Sequence, residues 1–274
     1  MTRFRLLVTE PMDGAANMAL DEALLRSRLD RACPPTIRFY GWQPPTISLG
    51  YGQLLDARID LGEASRLGIG LVRRLTGGSA ILHEGPDLEL TYSMVGSHED
   101  FEGADDLLAT YRWIGTALAA GLNRLGAAAK MVPVQPSSAE AIPAFCFART
   151  GSYELIVNGH KLVGCAQRRQ GVAFLQHGSV MLGAAPERLR RVFPAQADPL
   201  AGMTTLEAEI GRRPSFVETE AALAEGFREV HRIDLELDGL HPDEITRSES
   251  LSREKYQSER WTRAGRTPVG VASR

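Results

Sequence analysis

The residues able to do chemistry fall into a few short stretches. The first runs from Leu71 to Ser93, where Arg73 and Arg74 precede Thr76-Gly77-Gly78-Ser79, and Ala80-Ile81-Leu82 leads to His83. Paired glycines between apolar runs let backbone turn tightly and approach a ligand with no Cβ in the way. Two guanidiniums beside that turn place multi-donor cations where a carboxylate, a phosphate or an acyl-carrier headgroup can sit. Read without that ligand, the same stretch is a β-hairpin with solvated arginines. The second region holds Cys146 between Phe145 and Phe147, then Lys161, Gly164 and the trio Gln176-His177-Gly178. A cysteine among phenylalanines is a small hydrophobe unless a cation or base lowers its pKa, in which case it is a nucleophile. A lysine nearby supplies such a cation, or else is a surface charge, as Arg168 and Arg169 are expected to be. His83 and His177 are substrate contacts or hydrogen-bonded structural groups.

The elements that must position these groups read as a mixture of helices and strands. Leu6–Val8 is a strand, and Asp13 caps a helix to about Arg28 with Ala16, Leu20, Ala23 and Leu24 on one face. The acidic Asp21 and Glu22 on that helix read as a solvated face. Strands follow at Thr36–Tyr40 and Thr46–Leu49, then a helix over Asp56–Leu67 ending at Gly68. Leu88–Ser93 alternates as a half-buried strand does. A core-packing helix is expected from about Asp105 to Leu125, with Leu108, Tyr111, Gly115, Leu118 and Leu122 on one stripe. Lys130–Pro143 reads as a surface loop placed to act as a lid before Cys146. Asn158-Gly159 marks a hairpin between Tyr153–Val157 and Lys161–Ala166. Val172–Leu175 and Ser179–Leu182 read as two strands split at Gln176-His177-Gly178. Helices are expected at Pro186–Val192 and Glu218–Val230, and Thr262–Arg274 reads as a frayed terminus.

Composition narrows the function classes. The chain has 274 residues, 43% apolar and 24% charged, which suits one large catalytic domain spanning 1–274. A net charge of −3 gives no nucleic-acid footprint. No apolar run approaches the roughly 18 residues of a membrane span, and the N-terminus lacks the form of a signal peptide. Cys33, Cys146 and Cys165 have no metal-ligand spacing, so no metal is expected and free thiols in a reducing cytoplasm are.

Several of these strings resemble one known family. Arg73 to His83 matches the R-R-x-[ST]-G-G-x-A-x-x-H signature of the lipoate–protein ligases and octanoyltransferases, relatives of the biotin ligases. Trp42 to Gln53 resembles that family's W-x-x-x-x-[ILV]-x-[ILV]-G-x-x-Q segment, which borders the acyl pocket. Gly159 to Gly164 resembles G-x-K-[ILV]-x-G, His177-Gly178-Ser179 resembles H-G-[ST], and Lys255-Tyr256 with Trp261 resembles the K-Y-x-x-x-x-W ending. The resemblance implies an α/β (α+β) fold of mixed sheets flanked by helices. It implies octanoyl transfer from an acyl-carrier protein, through a thioester on Cys146, to a lysine of a lipoyl-domain protein, with no cofactor. Cys146 stands before Tyr153-Glu154-Leu155, where the cysteine-dependent octanoyltransferases carry their nucleophile. Lys161 is then either the cation that stabilises the thiolate or the one facing the acyl oxygen. Arg73, Arg74, Thr76, Gly77, Gly78, Ser79, His83, Gly164 and His177 are the implied substrate contacts. Ligases of the family carry a third glycine where Ser79 stands, which favours transfer over an ATP- and magnesium-dependent ligase. Transfer between two lipoyl-domain proteins is the other alternative.

Overall fold

The computed structural model describes residues 3–132, 154–195 and 200–264. The chain opens with β1 (Arg3–Met12), α1 (Gly14–Leu29), β2 (Thr36–Trp42) and β3 (Thr46–Leu49). Next come α2 (Leu61–Arg66), β4 (Gly70–Arg73), β5 (Ile81–His83), β6 (Glu89–Ser97) and α3 (Leu107–Arg124). β7 (Lys130–Met131), β8 (Leu155–Val157), β9 (His160–Gln170) and β10 (Ala173–Met181) complete a series of antiparallel strands. The chain then runs through α4 (Pro186–Val192), α5 (Leu206–Ile210), α6 (Phe216–His231), β11 (Asp234–Leu237) and α7 (Pro242–Leu251). A π-helical turn at Ser252–Tyr256 leads into α8 (Glu259–Ala264).

Side-chain oxygens start the longer helices by accepting otherwise unpaired backbone N–H groups. Asp13 accepts from Ala16 at 2.8 Å, Asp106 from Ala109 at 2.6 Å and Ser215 from Glu218 at 3.1 Å. The helix expected over Asp56–Leu67 is shorter than that. Asp60 takes the cap, while the Asp56 carboxylate is occupied by Arg58, so helix forms only over α2.

Eight strands form one mixed sheet in the order β11-β1-β2-β6-β10-β9-β8-β7. Helices cover both faces, and the two-residue period of a strand decides which side chain faces which helix. On β2, Ile37 and Phe39 join the core against α3 and α6, while Tyr40 and Trp42 turn toward α1. On β6 and β10, Leu90, Tyr92, Phe174 and Val180 take the α3/α6 side. The alternate positions, which include Arg38, Glu89, Thr91, Ser93, His177 and Ser179, are thereby delivered to the opposite face. The trio Gln176-His177-Gly178 does not break a strand as expected. It continues the nine-residue β10, because each residue finds a partner on β6 and β9.

A second sheet of three strands, β4-β3-β5, has β3 in the middle, parallel to β4 and antiparallel to β5. The segment between β4 and β5 is therefore not a hairpin loop. It carries the chain across the end of β3, from one side of that strand to the other. Among the described residues no helix is long and apolar enough to cross a membrane.

Candidate active site

The crossing over β3 is drawn tight by close backbone contact. Tyr51 N–H donates to the Thr76 carbonyl at 2.8 Å, and a Cβ at Gly50 would lie 1.9 Å from the Gly78 oxygen. Only glycine fits there, and Gly78 itself sits at φ +91, where a side chain would strain the backbone. Carbonyls crowded at such a turn need donors, and the two arginines supply them. Arg74 donates to Ser48 O at 2.9 Å, Gly77 O at 2.6 Å and Ser79 O at 2.8 Å. Arg73 donates to Gly50 O at 2.6 Å, Gln53 O at 2.7 Å and Thr262 O at 3.0 Å. Both arginines are buried. This corrects the expectation of open cations or solvated arginines: a five-donor fork inside a loop of carbonyls becomes its frame. Thr262, expected to be frayed, is part of that frame, and Trp261 Nε1 returns a bond to Arg73 O at 2.8 Å.

Beneath this crossing, between the two sheets and α1, lies a cavity. Met18, Tyr40, Trp42 and Ile81 make it apolar, and Gly164, Cys165 and Ala166 of β9 form one wall. Arg74, Ser48, His83 and His177 reach it, while Arg73 is not in its lining. Gly178 beside His177 has no room for a side chain, since a Cβ would meet Gly164 O at 2.5 Å and the Tyr92 ring at 2.7 Å. That contact lets β9 and β10 close the wall.

Each histidine at the cavity is held by a buried carboxylate. His83 Nδ1 lies 2.7 Å from Glu89 Oε1 and its Nε2 lies 2.8 Å from Ser48 Oγ. The His83 ring stacks on Trp42 at 3.9 Å, and Trp42 donates to Thr91, which in turn donates to Glu89. His177 Nδ1 lies 3.2 Å from Asp21 Oδ2 and its Nε2 lies 2.6 Å from Thr76 Oγ1. Asp21 also accepts from Arg38 at 2.8 Å, Tyr40 at 3.0 Å and Ser93 at 2.9 Å. The expected solvated acidic face of α1 is thus buried. Glu22 is likewise enclosed, by Lys255 and the Tyr256 hydroxyl, each at 2.6 Å. Asp21, Arg38, Ser48, Glu89 and Thr91 belong to the site and escaped the sequence reading. The period-two pattern of β2, which puts Arg38 on one face with Tyr40 and Trp42, is a signal that could have found Arg38; the others carry none in their own elements.

These arrangements set the charges. Burial alone would raise the Asp21 carboxyl, but the His177 hydrogen bond and the Arg38 charge outweigh it and hold it below its ordinary 3.8. Burial is likewise outweighed at Glu89, mainly by His83, and its carboxyl sits below 4.5. Burial lowers the His177 imidazole below 6.5, against the pull of Asp21. The stability that Asp21 and Glu89 contribute is fully present above 3.8 and 4.5 and is lost as pH falls through their lower folded values. His177 adds an earlier loss, because below 6.5 the unfolded chain binds a proton that the folded ring refuses. Thermal melts across the acid range should show Tm declining from about pH 6.5 and steepening below about pH 4.5. A Tm that holds level from about pH 6.5 down to about pH 4 would contradict the lowered His177 imidazole, and one that stays level further into acid would contradict the buried carboxylates.

Lys161 is fully buried on β9, and its Nζ pairs with the Glu154 carboxylate. Its backbone is fixed on both sides, by Gly202 O at 2.7 Å and Thr204 N at 2.9 Å. A buried ammonium without a partner would be costly, and Glu154 supplies that partner. Arg169, expected to be solvated, donates to Ala104 O, Asp106 O and Thr110 Oγ1. Cys146, with the rest of 133–153 and the lid expected there, lies outside the described residues. Cys33 is buried, and burial pushes its thiol up to about 11. Cys165 is half-buried on the cavity wall. Among the described residues no cluster of three or more His, Cys, Asp or Glu side chains is placed to hold a metal ion.

Comparison with known proteins places the chain. Residues 13–228 match the model of the lipoyl protein ligase A/B catalytic domain. The octanoyltransferase LipM of Kyrpidia tusciae is 38% identical over 281 residues, covering 95% of this chain and 98% of that protein. The octanoyltransferase LipM of Brevibacillus brevis is 35% identical over 275 residues, covering 95% of this chain and 99% of that protein. Among solved structures, a lipoate-protein ligase A bound with ATP shares the fold at a TM-score of 0.80 and 25% identity, covering 97% of this chain and 100% of that one. Over nearly its whole length, then, this chain belongs to the lipoyl protein ligase A/B catalytic-domain family.

Proposed function

We propose that the chain is an octanoyltransferase of lipoate biosynthesis, acting in the cytoplasm as a single catalytic domain. It takes octanoyl from an acyl-carrier-protein thioester, holds it as a thioester on Cys146, and passes it to a lysine amine of a lipoyl-domain protein. The likeness to octanoyltransferases along almost the full length carries this reading. The cavity supports it. Its walls are apolar, and its polar groups bind one another, which suits an alkyl chain that offers no hydrogen bonds of its own. The acyl carbonyl would enter beside Thr76-Gly77-Gly78-Ser79 and Gly164, with His83 and His177 beneath it. Arg73 and Arg74 shape that entrance by holding its carbonyls. Lys161 would stabilise either the thiolate or the charge that develops on the acyl oxygen. Splitting the transfer in two makes each step an attack on a thioester, which is already activated and needs no nucleotide.

The second reading, favoured by the likeness to a ligase bound with ATP, is lipoate attachment driven by ATP. One assay separates them. Octanoyl-acyl-carrier protein and a lipoyl domain are mixed with the chain in EDTA without ATP, and free lipoate with Mg-ATP is supplied in parallel. Transfer is expected in the first reaction and little or no product in the second. Efficient ATP-dependent attachment of lipoate, unaffected by Cys146→Ala, would replace transferase with ligase.

A further inference from the structure

Octanoyl transfer from a carrier needs a place for the carrier's arm as well as for the acyl chain. That pantetheine arm ends in the thioester and begins at a phosphate, with about thirteen bonds between phosphorus and sulfur, or about 15 Å when extended. When the octanoyl chain lies in the cavity, the phosphate therefore stays outside it, roughly that far from the thioester. Arg73 and Arg74 are not the groups that hold it, because both are turned inward on backbone carbonyls.

Strand β9 supplies a cation at that distance. Side chains alternate along a strand, so Arg168 shares the face of Gly164 and Ala166, which line the cavity. Its partner in register, Leu175 of β10, belongs to the core on the same α1 side of the sheet. From Gly164 to Arg168 the strand advances about 13 Å, close to the length of the arm. Arg168 is exposed, and its guanidinium carbon lies 5.1 Å from the centroid of the Tyr51 ring. Among the described residues no carboxylate stands within salt-bridge distance of it. Tyr51 lies at the glycine crossing, where its N–H bonds Thr76 O and where Gly77 and Gly78 are exposed.

Other cations gather beside Arg168. The Tyr51 and Trp261 ring centroids are 6.0 Å apart, and Lys255 Nζ stands 4.0 Å over the Trp261 ring. Lys255 reaches Glu22 at 2.6 Å, and the same carboxylate takes Arg26 at 2.5 Å. Burial lowers the Lys255 ammonium and Glu22 opposes that, while the charges of Arg26 and Arg168 add to the lowering. Arg26, Arg168 and Lys255 thus share the single carboxylate of Glu22 on an aromatic floor. Like charges so placed repel one another, and an anion set among them relieves the repulsion.

We propose that Arg168, with Lys255 and Arg26 beside it, binds the phosphate of the donor's pantetheine arm at the entrance to the cavity. This rests on the thioester-donor reading above and names the part of the donor recognised outside the cavity. The planar fork of Arg168 suits two oxygens of one phosphate, while Lys255 and Arg26 act through charge. The acyl-carrier protein is the source of the arm; CoA thioesters carry the same arm and phosphate on a nucleotide.

The test compares the arm with and without its phosphate. Wild type, Arg168→Gln and Arg168→Lys receive octanoyl-phosphopantetheine or octanoyl-pantetheine below saturation, and intact mass follows octanoylation of a lipoyl domain. Wild type should use the phosphorylated donor on the order of tenfold better. Arg168→Gln should lose most of that preference through kcat/KM for the phosphorylated donor, with far less change for the other, and Arg168→Lys should keep part of it. Octanoyl-acyl-carrier protein and octanoyl-CoA form further arms, and Arg168→Gln should slow transfer from the carrier by a similar factor. No preference for the phosphate in wild type, or equal slowing of both small donors, would overturn the subsite. So would a wild type that uses the carrier but not the phosphorylated arm, or a fall confined to the carrier, since Arg168 would then face the carrier's protein surface. A fall with octanoyl-CoA and none with the carrier would overturn the assignment to a carrier. No transfer from any thioester by wild type would instead overturn the thioester reading, and the subsite with it.

Discussion

Cys146→Ala should carry no octanoyl group and lower octanoyl transfer on the order of 10⁴-fold or more, the scale of losing a covalent nucleophile. The other thiols are poor substitutes. Cys33 is enclosed, and with its thiol pushed up to about 11 it holds almost no thiolate at neutral pH. Cys165 touches the cavity but sits within the β9 ladder, paired with Gly178 in register, so its backbone cannot swing toward a carrier. The measurement is direct: incubate with octanoyl-acyl-carrier protein, digest without reductant, and find the peptide that gains the acyl mass. The modified peptide should contain Cys146 in the wild type and be missing from the variant. Acylation persisting in Cys146→Ala would end the proposal, and a label on Cys165 would move the nucleophile to the cavity wall.

Asp21→Ala should be the most destabilising single change among the residues around the cavity. It strips the carboxylate from Arg38, whose side chain is fully buried, and leaves Tyr40, Ser93 and His177 each short of an acceptor. Removing one partner of a buried ion pair costs about 3–5 kcal/mol, far above the value of a surface pair. For a chain of this size that corresponds to a fall in Tm of roughly 10 °C. Thermal denaturation of Asp21→Ala beside Arg38→Met/Asp21→Leu tests the cause. The double variant removes both charges and should recover much of the loss. A single variant melting within about 2 °C of wild type would show that the Arg38 charge is solvated in some way the structure does not contain.

The local parts of the fold were legible because their causes are local. Asp13 caps the helix it precedes, Asn158-Gly159 turns a hairpin, and Leu118 and Leu122 of the expected α3 stripe face the core together with Ile114 and Ala117, whereas Leu108 at its start is exposed. What escaped depends on partners far along the chain. Asp21 and Glu22 look solvated on a helix of their own. They are buried because Arg38 and Tyr40 come from β2, and Lys255 and Tyr256 from the other end of the sequence. Paired glycines suggest a turn, yet no local rule says that β3 will slot between β4 and β5. Arg73 and Arg74 were read as binding groups for the same reason. Their carbonyl partners belong to a crossing that exists only once β3 is in place. Of the residues the family signature singled out, Arg74, His83, Gly164 and His177 line the cavity, while Arg73, Thr76, Gly77, Gly78 and Ser79 do not. It said nothing of the carboxylates behind the two imidazoles.

The clasp between Arg73 and Thr262 spans 189 residues, and β1 pairs with β11, from Arg3 to Asp234. Both are contacts between early and late parts of a polypeptide made from one end. At about 5–20 residues per second, a ribosome needs roughly 10–40 s to travel from Arg73 to the residue that clasps it. Throughout that interval the nascent chain holds its glycine crossing without the C-terminal clasp, and its first strand with one edge bare. Bare strand edges invite pairing with other chains. The newborn protein is thus exposed to misassembly until β11 and α8 have emerged, and the stretch around Thr262 fastens the crossing above the cavity long after that crossing was made.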